Sequence, residues 1–200
     1  MKRVTVAITG ASGAIYAVRT LGALLQCGTA VDVIVSEFGW MLLRDECGFN
    51  DKQHAFGDFL VAKFGPRLDA GNLVMHQVGN LGATVASGSA KSDGMVVVPC
   101  SMKTLSGITH GSSRNLIERA ADVTLKERRP LILVPRETPM NLIHLRNMVS
   151  ASEAGAIMLP AMPAFYQNPK TFEDLADFIA GRILDLLGIE QDLFPRWEGL

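Results

Sequence analysis

Short unbroken apolar runs alternate along this chain with longer stretches in which apolar residues recur every three or four positions. Val4–Ile8, Val31–Val35, Leu73–His76, Met95–Val98, Leu131–Val134 and Ala156–Leu159 are rich in β-branched side chains, and most of them stop at Gly, Ser or Pro, which predicts buried strands. Ala14–Gln26, Phe38–Glu46, His54–Phe64, Leu105–His110, the charged stretch opening at Asn115, Asn141–Glu153 and Thr171–Leu187 carry helical spacing. The last of these starts with a Thr171-x-x-Asp174 capping box. Between them, Pro66–Gly71 reads as a loop, and the small, glycine-rich Gly79–Ser92 as a longer one of the kind that often covers a site.

Strands alternating with crossover helices predict a doubly wound α/β domain: a mostly parallel sheet covered on both faces, three layers in all, with right-handed connections. The 200 residues suit a single domain spanning 1–200, because a chain of this size buries about 70% of its unfolded surface. No repeat or linker divides it. Residues 188–200, with Phe194-Pro195-Arg196-Trp197, read as a tail packing on the domain or on a neighbouring subunit.

Charge narrows the function. Lys+Arg 19 against Asp+Glu 20 gives −1, so no global basic field attracts nucleic acid or an anionic membrane. Cys27, Cys47 and Cys100 form no CxxC and no Cys/His cluster, which argues against disulfides and structural zinc and suits a reduced cytoplasm. The N-terminal apolar run is too short for a signal segment or a membrane span.

Open α/β sheets bind ligands at the C-terminal ends of their strands. At the first such end, Gly10-Ala11-Ser12-Gly13 resembles part of a nucleotide fingerprint, but Ile15 breaks GxGxxG and no acidic residue closes the second strand, so NAD is not expected. The turn offers N–H groups and a helix dipole to a phosphate, or is simply a tight βα connection. Pro99–Thr104 repeats the arrangement with Ser101, Lys103 and Thr104, again as a phosphate site or as an ordinary N-cap beside a solvated lysine. Pro135-Arg136-Glu137 ends a further strand with a guanidinium beside a carboxylate, which points to chemistry on an anion. Arg119 and Lys126 lie only ~20° apart in azimuth on their helix. Asp122 is four residues before Lys126, so that face is either the wall of a site or a solvated salt-bridge surface. Cys100 reads as a buried structural thiol rather than a nucleophile. The four histidines show neither HExxH nor an i,i+4 pair, and DDxxD is absent, so no metal is expected.

Taken together, GASG, PCSMKTLSGI, NLIERAADVTLKERRPLILVPRETP, PAFY and PRW resemble the flavin prenyltransferase (UbiX-type) family, formerly described as phenylacrylic or hydroxyarylic acid decarboxylase subunits. The resemblance covers almost the whole chain and is weakest from Phe49 to Gly79. It implies a flavodoxin-like, Rossmann-like subunit that assembles into a homododecamer with sites at subunit contacts. It also implies transfer of a dimethylallyl group from dimethylallyl monophosphate to N5 of reduced FMN, ring closure at C6 without a metal, and a prenylated FMN product used by UbiD-type decarboxylases. Matching positions for FMN are Gly10, Ala11, Ser12, Ser36, Ser101, Met102, Lys103, Thr104 and Arg136. Arg119, Lys126, Glu137, Tyr166, Arg182 and Trp197 match the prenyl-donor site, some of them reaching in from a neighbour. Ser12, Glu46, Lys126 and Glu137 carry the catalytic roles, Glu46 beside Ser12 in later proton transfer. Some members place a tryptophan where this chain has Leu81. Two rival readings are an FMN-dependent cysteine decarboxylase, whose Asn-rich turn and lid motif are missing here, and a non-catalytic flavin carrier.

Overall fold

Successive side chains of a strand point to opposite faces of its sheet, and here both sets are apolar, so the sheet must be covered on both sides. The computed structural model describes every residue except 67, 70, 71, 197, 198 and 200. Its strands are β1 (Arg3–Ile8), β2 (Ala30–Val35), β3 (Leu73–His76), β4 (Gly94–Cys100), β5 (Leu131–Pro135) and β6 (Ile157–Met158). They form one all-parallel sheet in the order β3-β2-β1-β4-β5-β6. The helices are α1 (Ala14–Gln26), α2 (Glu37–Cys47), α3 (Phe56–Phe64), α4 (Met102–Thr109), α5 (Leu116–Lys126), α6 (Leu142–Glu153) and α7 (Phe172–Leu186).

Val4, Val6 and Ile8 face one layer, where they meet Leu21 and Leu24 of α1, Phe59 and Leu60 of α3, and Ile179 and Ile183 of α7. Ala7, Met95 and Val97 face the other, against Leu105 of α4 and Leu116, Ile117 and Ala121 of α5. Each fully buried Leu or Ile contributes about 1.5–3 kcal/mol relative to exposure. A buried charge interrupts the pattern: Asp32, in β2, accepts from Arg3 Nε at 2.6 Å and Nη2 at 2.8 Å and lies 2.7 Å from His76 Nε2. Asp32 therefore has the partners that a buried carboxylate requires.

From β1 the chain winds outward to β3 and then returns to the other side of β1 as β4, so the winding direction switches between β1 and β4. Helix α7 runs antiparallel to the strands, since Lys2 Nζ, just before β1, donates to Leu187 O at 2.5 Å and Gly188 O at 2.7 Å. Arg19 and Asp177, in a bidentate fork, bind α1 to α7. Residues 188–195 climb back along α7: the Phe194 ring lies 5.0 Å from that of Phe178, and Gln167 Nε2 donates to Pro195 O.

The expected strands and helices are present, with shifted ends. Strand β4 runs past Val98 to Cys100, with a register shift against β5 between Val97 and Cys100, where Pro99 supplies no N–H to the ladder. Helix α4 starts at Met102 rather than Leu105, because the Ser101 hydroxyl accepts from Thr104 N and caps it there. Strand β6 keeps only Ile157 and Met158, and the loop 79–92 contains a single short 3₁₀ turn, Thr84–Ala86.

Helix α2 lies close over the end of β1. A Cβ on Gly39 would stand 2.6 Å from Ile8 O, a backbone atom that cannot step aside. Gly39→Ala is therefore expected to destabilise the protein by about 2 kcal/mol, read as a lower midpoint in chemical denaturation; an unchanged midpoint would show that α2 is free to lift.

Candidate active site at the strand ends

The ends of β1 and β4 are tied together where the winding switches. Ser101 N donates to Thr9 Oγ1 at 2.8 Å, and the Thr9 hydroxyl donates to Pro99 O at 2.7 Å. Thr9 is 1% exposed, and this hydroxyl fixes the position of the α4 N-terminus against the glycine turn. Nothing in the local sequence singles out Thr9, although a threonine between a strand and a glycine turn is able to make such a stitch.

In the turn itself, Gly13 has φ 109°, a left-handed conformation that favours glycine, and a Cβ there would meet the Tyr16 ring at 2.8 Å. Gly10 is held just as closely, since a Cβ on it would stand 2.5 Å from Phe38 Cβ. With Gly10 and Ser12 exposed and Ala11 buried, the turn presents its backbone as an open shelf.

The N-terminus of α1 differs from the expectation that it would receive a phosphate. Glu46 Oε2, from the end of α2, accepts from Gly13 N and from Ala14 N, both at 2.8 Å. The first donors of α1 already hold an anion of the protein's own. Burial pushes the Glu46 pKa up, but hydrogen bonds from Ser12, Ala14 and Gly13 and the nearby Arg136 charge more than offset this, so it lies below the usual glutamate range. Glu46 is thus ionised at neutral pH, an acceptor placed beside the Ser12 hydroxyl.

Arg136, just beyond β5, reaches across the switch point and donates from Nε to Ser12 O at 2.9 Å. Glu137 beside it accepts from Thr138 N. At α4, Ser101 donates to Thr104 Oγ1 at 3.1 Å, and the first-turn N–H groups of Met102 and Lys103 have no acceptor within the helix. The Met102 side chain is buried in the core, which leaves only its backbone facing the strand ends, while Lys103 is exposed. Ser36, at the end of β2, spends its hydroxyl oxygen on Gly39 N, capping α2. Cys100 is fully buried, and burial raises its thiol to about 12, which removes it as a nucleophile.

A single copy of the chain thus brings together Gly10, Ala11, Ser12, Ser36, Glu46, Ser101–Thr104, Arg136 and Glu137. It does not bring Arg119, Lys126 or Arg182 to them. Lys126 ends α5 before β5 begins, whereas Arg136 follows β5, and a strand of five residues separates them by ~17 Å. Arg182 lies ten residues into α7, ~15 Å from the N-terminal end of that helix, which is the end beside the C-termini of the strands. Arg119 donates to Asp122 at 2.7 Å and to Ala86 O at 3.2 Å. Tyr166 is 57% exposed, with its ring edge-on to Phe178. Trp197 lies outside the described residues. Among the described residues no cluster of His, Cys, Asp and Glu has the makings of a metal site.

Comparison with known proteins adds a second line of observation. A family model described as Flavoprotein matches residues 1–184. The flavin prenyltransferase UbiX of Halalkalibacterium halodurans is 48% identical over 195 residues, which cover 96% of this chain and 92% of that protein. The crystal structure of AnUbiX (PadA1) in complex with FMN and dimethylallyl pyrophosphate superposes with a TM-score of 0.88 at 40% identity, covering 100% of this chain and 98% of that one. A dodecameric FMN-dependent UbiX-like decarboxylase from Escherichia coli O157:H7 gives 0.86 at 38% identity, covering 98% and 100%.

The Glu46 contact has a measurable signature. Glu46→Gln is expected to cost about 1 kcal/mol at neutral pH. A carboxylate whose pKa is depressed on folding stabilises above its unfolded value, and that stabilisation is lost as the pH falls through the depressed value. Denaturant unfolding of the two proteins should therefore differ at pH 7 and converge in strong acid; a gap that persists there would mean that the contact is steric rather than ionic.

Proposed function

The chain belongs to the flavoprotein family and, within it, to the flavin prenyltransferases, and from that premise we propose a residue-level account of how it joins a dimethylallyl group to reduced FMN. The donor in this account is dimethylallyl monophosphate, bond formation at N5 is followed by ring closure at C6, and the product passes to a UbiD-type decarboxylase.

The residues present fit FMN. The open first turn of α4, with the Ser101 and Thr104 hydroxyls and the Met102 and Lys103 N–H groups, suits its phosphate. The Gly10–Ser12 shelf and Arg136 suit the ring system beside it. Reduced FMN, when bound, supplies the nucleophilic nitrogen. Ser12 and ionised Glu46 hold and accept a proton next to the shelf. The observation that carries this reading is the convergence of Arg136, Ser12 and Glu46 on one turn at the β1/β4 switch point.

The donor's phosphate goes to Arg119, Lys126, Glu137, Tyr166 and Arg182, with Trp197 at the allyl end. As the phosphate leaves, negative charge grows on its oxygens, and fixed cations stabilise that charge without a metal. Lys126 and Arg136 stand at opposite ends of one protomer's sheet, so Lys126 serves the site of a neighbouring copy. A homo-oligomer, on this account a dodecamer, agrees with the surface of α6, where Leu142, Ile143, Leu145 and Val149 are 47–68% exposed along one helix. An apolar face of that kind marks a contact surface. Among the described residues no helix is long and apolar enough to cross a membrane.

Anaerobic incubation with reduced FMN and dimethylallyl monophosphate should release a prenylated flavin detectable by mass spectrometry; FMN binding without an adduct would make the protein a carrier. Lys126→Ala and Glu137→Gln are each expected to lose at least about a hundredfold in turnover while keeping FMN. Unfolding and reassembling the two variants together should restore activity, up to about a quarter of wild type, because some sites then receive a good residue from each copy. No recovery in mixed oligomers with normal FMN content would place both residues in one copy's site.

A further inference from the structure

Three cations assigned to the prenyl phosphate share a feature that the reaction does not require. Each faces a carboxylate on or adjoining its own helix. Arg119 Nη1 lies 2.7 Å from Asp122 Oδ2, Lys126 Nζ contacts Glu127 Oε1, and Arg182 Nη1 lies 3.2 Å from Asp185 Oδ2. Arg136, by contrast, donates to a backbone carbonyl. The pairs are partly solvated, with side chains exposed by 16–47%, and such ion pairs contribute little to stability, so the fold gives no strong reason to have them. Asp185 is the exception, because it also clamps Arg196 of the tail at 2.8 Å. Among the described residues Asp122 pairs with Arg119 alone, and Glu127, besides pairing with Lys126, feels only the more distant charge of Arg129. The Lys126–Glu127 pair sits against Gly88, where any Cβ would overlap both charged ends.

We propose that Asp122 and Glu127 are specificity-determining counter-charges that keep the phosphate site selective for a single-phosphate allylic donor over the diphosphate. The proposal rests on the assignment of Arg119 and Lys126 to the donor's phosphate. A phosphate monoester carries about two negative charges, and a diphosphate ester about one more. Each carboxylate left beside the cations repels every charge on the donor, so it penalises the diphosphate more than the monophosphate. With both acids present, the charge of the two α5 cations is partly offset before the donor arrives. That arrangement tolerates a dianion and disfavours a larger charge.

The test uses the FMN-loaded protein and two donors, dimethylallyl monophosphate and dimethylallyl diphosphate. Calorimetric Kd values with oxidised FMN and kcat/KM with reduced FMN are measured for wild type, Asp122→Asn, Glu127→Gln and the double variant, with FMN content as the folding control. The diphosphate-to-monophosphate preference should rise about threefold in each single variant and about tenfold in the double, mainly through Kd, and the rise should shrink in high salt. An unchanged preference in the double variant, or a shift toward the monophosphate, overturns the proposal. Lys126→Met separates the two levels. If it weakens both donors while the acid variants leave the preference unchanged, only the counter-charge role fails; if it leaves both Kd values unchanged, the assignment of Lys126 to the phosphate fails and the counter-charge role with it.

Discussion

A parallel sheet buried on both faces leaves polar chemistry almost nowhere to go but the ends of its strands. The side chains of β1, β4 and β5 alternate between two apolar layers, and a charge in the middle of a strand needs the full set of partners that Asp32 receives from Arg3 and His76. Everything able to bind or react is therefore displaced to the turns, and one of these lies where the winding direction reverses, between β1 and β4. The position of the site follows from this burial constraint before any particular side chain is considered.

What the constraint does not supply is rigidity, and here three contacts act together. Thr9 fastens one strand end to the other, Glu46 holds the glycine turn by its two N–H groups, and Arg136 ties the same turn to the end of β5. The turn is thus positioned by the protein alone. Ordering that is complete before a ligand arrives does not have to be supplied from binding energy, which favours both affinity and rate.

The sheet and its order of elements were largely legible in the sequence, because buried parallel strands leave unbroken apolar runs such as Val31–Val35 and Leu131–Val134. Element ends were less legible: β4 continues through Pro99, and α4 begins three residues early at a serine cap that local spacing leaves ambiguous. Gly10–Gly13, Ser101–Thr104 and Arg136 were legible as strand-end residues. The use of the α1 N-terminus was not, because its anion is Glu46, which comes from the far end of another helix, and only folding brings the two together. Nor did helical periodicity reveal that Lys126 and Arg136 lie at opposite ends of the sheet, since that depends on the direction of β5 between them.

Strand β5 consequently acts as a ruler. At one end it presents Arg136 to the Gly10–Gly13 turn, and at the other it follows the α5 terminus that carries Lys126. On the proposed reading, its five residues set the spacing between successive active centres of the assembly. On that same reading, a single inserted or deleted residue there would misplace groups in two centres at once, tying the evolutionary freedom of this short apolar segment to the symmetry of the assembly.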